Sequence, residues 1–455
     1  MGQQGLRAGF GRFFRYLRRI GSGERDRNST LYGSSEESTL VNCDAICHIQ
    51  RLPDPVLGAI FALSKDAEKE ECRAVFPVER IVSQVAVRWR VVALGLPELW
   101  SSVDARVRAE HQRALLEWYL AHSEDRPLYV SICLSKENWD VEGKLVLADV
   151  LAEVLRLRRL CIRTDSLQVE AAVLEACRML HAPILEHLSY ISLEVPHSFR
   201  EPEDYICEEN FRPVIFKHGV PNLKVLRLQH LEKALYPPLQ SVTTLHLEEY
   251  NCPAMVHSRF VALLHALPAL AHLSLYGSVI ADWPVAGTLH LPHLHSLRVA
   301  STNQAGRMLL ALDAPVLEFI TLKDVRSAEL QSSLRRENNV RLAALRTLVV
   351  DGWVSASALN ELFCQLANSV EELRVVNCEA DEALNHFPRQ LPGLKKIMIH
   401  RVRCVAALDD IVAAQVALSL HVDVPWAGVA ERWTRLPPWP VEADADADDL
   451  FMQLR

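Results

Sequence analysis

One pattern recurs through the middle of this chain and limits what it can fold into: an apolar residue, two others, an apolar residue, one other, an apolar residue. The clearest copies are Leu223/Leu226/Leu228, Leu270/Leu273/Leu275, Leu294/Leu297/Val299, Leu317/Ile320/Leu322 and Leu394/Ile397/Ile399, each beginning two residues after a proline (Pro221, Pro268, Pro292, Pro315 and Pro392). Further copies are Leu157/Leu160/Ile162, Leu185/Leu188/Tyr190 after Pro183, Val242/Leu245/Leu247, Leu345/Leu348/Val350 and Val370/Leu373/Val375. Alternate residues of a strand point to opposite faces, so the second and third apolar residues of each copy look the same way and can line a shared core. One such unit cannot bury its own apolar face, and stacked neighbours supply the missing contact.

Most copies are spaced by the roughly 20 to 29 residues of a repeat built from one strand and a return segment. The step from Leu185 to Leu223 is long and the step from Leu223 to Val242 is short, which leaves the register between about 185 and 245 open. Between copies, Val261–Leu267 (VALLHAL) and Ala356–Ala367 (ASALNELFCQLA) are helix-like and can cover the other side of the strands. Leu128–Leu134 (LYVSICL) is expected as an extra edge strand that caps the array.

Composition fits an ordinary folded chain: 49% of the 455 residues are hydrophobic and 23% charged, which excludes wholesale disorder. The net charge of −8 is modest and shows no basic stripe, so nucleic acid is not an expected partner. The 11 cysteines are scattered and no secretory signal opens the sequence, which points to reduced thiols in cytoplasm or nucleus. Charges break every apolar stretch before it reaches the length of a membrane span.

Residues 1–28 hold seven arginines with Phe10, Phe13, Phe14, Leu17 and Ile20 at helical spacing. This is either an amphipathic helix for an anionic surface or a solvated or docked arm. Residues 29–50 read as a linker, and 426–455 as a Trp- and Pro-rich segment with an acidic tail in which Glu442, Asp444, Asp446 and Asp448 alternate with alanines before Asp449.

The first ordered unit, 51–104, begins with Leu52-Pro53, where Asp54 is expected to cap a helix and Pro55 to fit its first turn. Val56, Leu57, Ile60 and Phe61 fall on one face of that helix. A second helix over about 78–94 steps through Val82, Val85, Trp89 and Val92 on one face, and Leu96-Pro97 with Leu99-Trp100 starts a short third element. Residues 105–150 then lead into the repeats at 151–425.

The repeats resemble leucine-rich-repeat proteins, specifically the irregular kind found beside F-box domains. The series Leu52-Pro53, Ile60-Phe61, Val82-Ser83-Gln84-Val85, Arg88-Trp89, Leu96-Pro97 and Leu99-Trp100 resembles the F-box of fungal F-box proteins, with a charged insertion at 64–77. The fold class that follows is α/β: a small helical F-box-like module, then a leucine-rich-repeat solenoid with a parallel sheet on its concave face. The resemblance implies that Leu52, Pro53, Val56, Leu57, Ile60 and Phe61, supported by Val82, Val85 and Trp89, dock on a Skp1-type adaptor and through it on a cullin. The alternative places the same residues in an internal core, which suits Val85 and Trp89 at least as well, whereas Leu52 and Pro53 suit the interface.

No phosphate loop, nucleophile elbow or zinc-protease helix is present. His290, His293 and His295 form the one short metal-like cluster and lack a nearby cysteine or carboxylate, so no metal or other cofactor is expected. The residues between the core leucines then carry the functional expectation. A central row of Arg227, His246, Ser274, Arg298, Thr321, Val349, Arg374 and Met398 and a neighbouring row of Gln229, Glu248, Tyr276, Ala300, Lys323, Asp351, Val376 and His400 face the concave side, where they either bind an unidentified target protein or form a solvated face. The expected activity is non-enzymatic: substrate recognition in a Skp1–cullin–F-box ubiquitin ligase, or, as the alternative, an interaction scaffold with no ligase role.

Overall fold

The computed structural model describes residues 48–71, 77–105, 112–137, 139–192, 213–229, 236–249, 255–280, 283–284, 288–302 and 304–325, shorter stretches between 328 and 400, and 421–423. The basic arm at 1–28 and the acidic tail lie outside the described residues, as does nearly all of the linker at 29–50. The chain divides into two compact units, one comprising residues up to Ser102 together with Trp118–Arg126, the other Val103–Glu117 and Pro127 onward.

In the first unit, helix α1 (Asp54–Glu71) starts one residue earlier than its sequence suggests. The Pro53 carbonyl accepts the amides of Val56 and Leu57 at 3.0 and 3.1 Å, so Pro53 holds the capping position and Asp54 is already helical. The Asp54 carboxylate turns instead to Arg88, whose Nε donates to it at 2.8 Å, while the same guanidinium donates to the Leu52 carbonyl. Helix α1 also runs to Glu71, so the expected insertion is, through residue 71, a continuation of the helix. Its reason is chemical: Lys65 Nζ meets Glu79 Oε2 at 2.7 Å and Tyr119 Oη donates to Glu79 Oε1 at 2.7 Å, which satisfies a fully buried carboxylate from two sides.

The single helix expected over 78–94 is two, α2 (Val78–Val85) and α3 (Val87–Leu94), separated by Ala86 at φ −154°, ψ 157°. The break resets the helical phase, so Val82, Val85, Trp89 and Val92 do not share a face: Val82 and Trp89 are buried, Val92 is half-buried and Val85 is 45% exposed. Phe61 packs on Trp89 with ring centroids 5.2 Å apart, and Trp100 donates its indole N–H to the Ala93 carbonyl at 2.9 Å. Leu57, Ala93 and Leu99 complete this small core.

The second unit is mixed α/β. Its strands are β1 (Ser102–Ala105, shared with the boundary of the first unit), β2 (Leu128–Leu134), β3 (Leu157–Thr164), β4 (His187–Ser192), β5 (Val225–Gln229), β6 (Thr244–Glu249), β7 (His272–Gly277), β8 (Leu289–His290), β9 (Ser296–Ala300), β10 (Leu312–Asp313), β11 (Phe319–Lys323), β12 (Thr347–Asp351), β13 (Glu372–Val376), β14 (Lys396–His400) and β15 (His421–Asp423). Thirteen form one sheet in the order β1-β2-β3-β4-β5-β6-β7-β9-β11-β12-β13-β14-β15, and from β2 onward each strand pairs in parallel with its neighbour. Chain order and spatial order coincide, as a repeat-like winding requires. β8 and β10 pair separately.

Every copy of the sequence pattern carries one strand, and its leucines align. Leu160, Leu188, Leu226, Leu245, Leu273, Leu297, Ile320, Leu348, Leu373 and Ile397 are successive register partners, all buried. Across the uncertain stretch between 185 and 245 the described strands keep register, β4 pairing with β5 and β5 with β6. The prolines mark a repeated turn: Leu223, Leu270, Leu294 and Leu317 each donate an amide to the carbonyl three positions earlier, at 3.1 to 3.2 Å, with proline at the second turn position, where its fixed φ fits, and Leu394 makes the same bond to Leu391 at 3.1 Å. Leu128–Leu134 is not the edge strand. β1 lies outside it.

The return segments include helix α4 (His257–His265), which begins four residues before the expected Val261, and α5 (Ala305–Ala311). They place Phe260, Leu263, Met308 and Leu309 in the core. Ala356–Ala367 lies largely outside the described residues. No described helix is long and apolar enough to cross a membrane.

Four strands end at one shared register position in left-handed backbone: Gly277 (φ 78°), Ser301 (φ 52°), Asp324 (φ 49°) and Gly352 (φ 96°). At Gly277 a Cβ would lie 2.0 Å from the Glu249 carbonyl oxygen, whereas at Gly393 it would meet nothing closer than 3.6 Å. Gly277→Ala should therefore cost at least about 1–3 kcal/mol through backbone strain alone, with the clash added. Gly393→Ala should stay within about 0.5 kcal/mol of wild type. Urea unfolding midpoints of the two variants check this.

Candidate functional site

The face of the sheet opposite the leucines carries the polar rows. From β5 to β14 the central row is in register residue for residue, Arg227 beside His246, Ser274, Arg298, Thr321, Val349, Arg374 and Met398. So is the second row, Gln229, Glu248, Tyr276, Ala300, Lys323, Asp351, Val376 and His400. The side chains are less open than the sequence suggests. Arg227, His246, Glu248, Arg298, Lys323 and Asp351 are buried, Gln229, Tyr276 and Arg374 are half-buried, and the His400 side chain lies outside the described residues.

The reason for burial is pairing between strands. Neighbours in a parallel ladder stand about 4.8 Å apart, and these residues bond to each other across that gap. Arg227 Nε donates to Glu248 Oε1 at 2.5 Å, His246 Nε2 lies 2.7 Å from the same oxygen, and His246 Nδ1 lies 2.7 Å from Ser274 Oγ. Lys323 Nζ approaches Asp351 Oδ2 at 3.8 Å across the gap, whereas Arg374 Nε donates to Glu372 Oε1 at 2.8 Å within its own strand. Burial raises the Glu248 pKa, but the hydrogen bond from His246 and the charges of His246 and Arg227 outweigh it and hold the carboxyl below its ordinary value. At Lys323 burial dominates and lowers the pKa against the pull of Asp351 and Asp324.

Ser274, His246 and Glu248 are the residue types of an acyl-transfer relay. Here Ser274 is fully buried, so no substrate carbon can approach its hydroxyl in this arrangement. The relay's evident effect is to tie β5, β6 and β7 together.

A third row on this face was not read from the sequence. His187, Thr244, His272, Ser296, Thr347, Glu372 and Lys396 stand one position before each second leucine, where strict alternation puts them on the polar side. Extending alternation one residue toward the start of each strand would have found them. Burial, with the neighbouring His295 and Arg298, lowers the His272 pKa to about 4.

The expected adaptor residues divide. Leu57, Phe61, Val82 and Trp89 belong to the core of the first unit, Leu52 and Ile60 are half-buried, and Pro53, Val56 and Val85 are exposed. Two residues absent from that set are more exposed than its valines Val56 (43%) and Val85 (45%): Val87 at 75% and Val91 at 67%, one turn apart on α3. The helix break at Ala86 turns them outward, and the continuous helix assumed from sequence hid them. The three histidines near 290 do not converge: His290 Nδ1 bonds Asp313 Oδ2 at 2.8 Å, and His295 Nδ1 bonds the His293 carbonyl at 2.7 Å.

No family model and no curated protein matches this sequence. Among solved structures, the crystal structure of a protein from Bacteroides fragilis is similar over 67% of this chain and 76% of its own, at 13% identity and a TM-score of 0.33, a superposition too loose to bear on fold or function.

Two outcomes follow. Removing Glu248 leaves the Arg227 guanidinium buried without its carboxylate, so Glu248→Ala should cost about 3–5 kcal/mol in denaturant unfolding. His272 binds its proton near pH 6.5 when unfolded and near 4 when folded, so its contribution to stability is complete above 6.5 and is lost as pH falls toward 4. His272→Asn should flatten the decline of stability over that window, read from unfolding midpoints at a series of pH values.

Proposed function

We propose that this chain is a non-catalytic recognition subunit of a Skp1–cullin–F-box ubiquitin ligase, in which the first unit is an F-box-like module that docks on the adaptor and the second is a leucine-rich-repeat solenoid that holds a target protein on the concave side of its sheet. The observation that carries the adaptor half is apolar exposure on a helix whose other side is already buried. α3 places Trp89 and Ala93 in the core and Val87 and Val91 in solvent, and α1 exposes Val56, Ala59 and Leu63 at positions i, i+3 and i+7. Apolar stripes of this kind on small helices are characteristic of surfaces that another protein covers. The in-register leucine ladder and the proline turns support the solenoid half.

On this reading the chain performs no bond chemistry. A target held on the sheet is brought near a ubiquitin-carrying partner, and the rate rises through effective concentration alone. The site is a surface on the cytoplasmic or nuclear side.

The test separates docking from folding. Val87→Asp with Val91→Asp changes only exposed positions, so the melting temperature should hold while co-purification with a Skp1-type adaptor is lost. Leu57→Asp, at a fully buried position, should lose both. If the wild-type chain recovers no adaptor under conditions where a known F-box protein does, the chain is an interaction scaffold and the ligase reading fails.

A further inference from the structure

Where the neighbouring strands β7 and β9 end, the sheet gives way to its return segments around a small cavity. Its walls are largely apolar, with Leu275 from β7, Val299 from β9 and Met308 from α5, and three polar side chains also reach it: Trp283, Thr302 and Gln304. The cavity measures about 10 Å³. That is room for one water-sized molecule and lies far below the roughly 300 Å³ at which sites for small organic ligands begin.

The indole is held firmly in place. Trp283 is 1% exposed, and its ring packs edge-on against two rings of α4, His257 at 4.9 Å and Phe260 at 6.0 Å between centroids. Its carbonyl accepts a hydrogen bond from Arg307 Nη1 of α5 at 3.3 Å. Yet its indole N–H, buried, has no hydrogen-bond partner among the described residues, and neither has the equally buried Oε1 of Gln304. A buried indole N–H ordinarily meets an acceptor, and burying a polar group without a partner costs free energy. A donor and an acceptor, both unbonded, thus belong to residues that line the same one-molecule cavity, whose aliphatic walls can satisfy neither.

These two groups define the occupant. It must accept from the indole and donate to the carboxamide oxygen, which rules out simple ions: a cation has nothing to offer the N–H, and a halide-like anion has nothing to offer the Oε1. Water is the neutral molecule of one heavy atom that does both. Thr302 Oγ1, which accepts the Gln304 amide at 3.3 Å, offers a third bond, and internal waters typically make about two to four.

We propose that this cavity is an internal hydration site, in which one water accepts from Trp283 Nε1–H and donates to Gln304 Oε1, joining the segment after β7 to the capping residue of α5. The site links the return segments of two adjacent strands, as Arg227 and Glu248 link the strands themselves. It depends neither on adaptor docking nor on target recognition.

Nuclear magnetic resonance on the full-length chain tests it, with ¹⁵N in the tryptophan indoles. Of the nine tryptophans, the one whose signal disappears in Trp283→Phe is Trp283. A bound water predicts a rotating-frame cross-peak from that indole proton to the water resonance, with the sign of dipolar contact and not of proton exchange. Deuterium exchange of the same proton should be at least about a hundredfold slower than at the exposed Trp118. Gln304→Met keeps the length of the side chain and removes the amide, so the cross-peak should be lost. Thr302→Val removes a hydroxyl whose own exchange would relay the signal, and the cross-peak should remain. Dispersion of the other indole signals shows that each variant is folded. The hydration site is overturned if wild type gives no dipolar cross-peak, if the cross-peak survives in folded Gln304→Met, or if it disappears in folded Thr302→Val.

Discussion

The structure depends on one constraint: no strand of the sheet can bury its leucines alone. Leu273 is covered only because Leu245 and Leu297 stand in register beside it, and the same holds along the ladder from Leu160 to Ile397. Stability in such an array is a sum of nearest-neighbour terms, so an error in register at one step exposes the apolar side of every later strand. The repeated proline turn and the left-handed residue that closes several strands fix where each strand begins and ends. Together they prevent that slip.

Pairing on the polar face follows from the same geometry. Once the leucines set the register, the residues between them are brought within a hydrogen bond of their counterparts whether or not a ligand is present. Arg227, Glu248, His246 and Ser274 form a buried chain across three strands, and a fully satisfied polar network of this kind specifies one arrangement of neighbours more strictly than an apolar face could.

Much of the second unit was legible in sequence because its signal repeats. Each copy of the leucine pattern is weak alone, but the copies share one spacing rule and one turn, and the strands formed where they predict. The long step after β4 disturbed the spacing without disturbing the ladder, because register is fixed strand to strand whatever length of chain separates the strands in sequence. The first unit was less legible. Nothing in VSQVAVRW announces that Ala86 is extended, and a continuous periodicity of three and four residues hid the break that turns Val87 and Val91 outward. Glu79 was equally opaque, since its partners Lys65 and Tyr119 lie 14 and 40 residues away. On the polar face, sequence located the rows but could not report their burial, which arises from cross-strand pairs that become adjacent only after folding.

The position of β1 has a consequence for how the molecule behaves in a crowd. A parallel sheet of this size ends in a strand whose outer amides and carbonyls could accept a further chain, and a long flat edge would invite copies to add end to end. Among the described residues the strand at one edge is only four residues, Ser102–Ala105, with an exposed Asp104 at its centre. A template that short offers an incoming strand few bonds, and the negative charge at its centre works against close approach. At that edge the winding that lets neighbours stabilise one another offers little for the next molecule to continue.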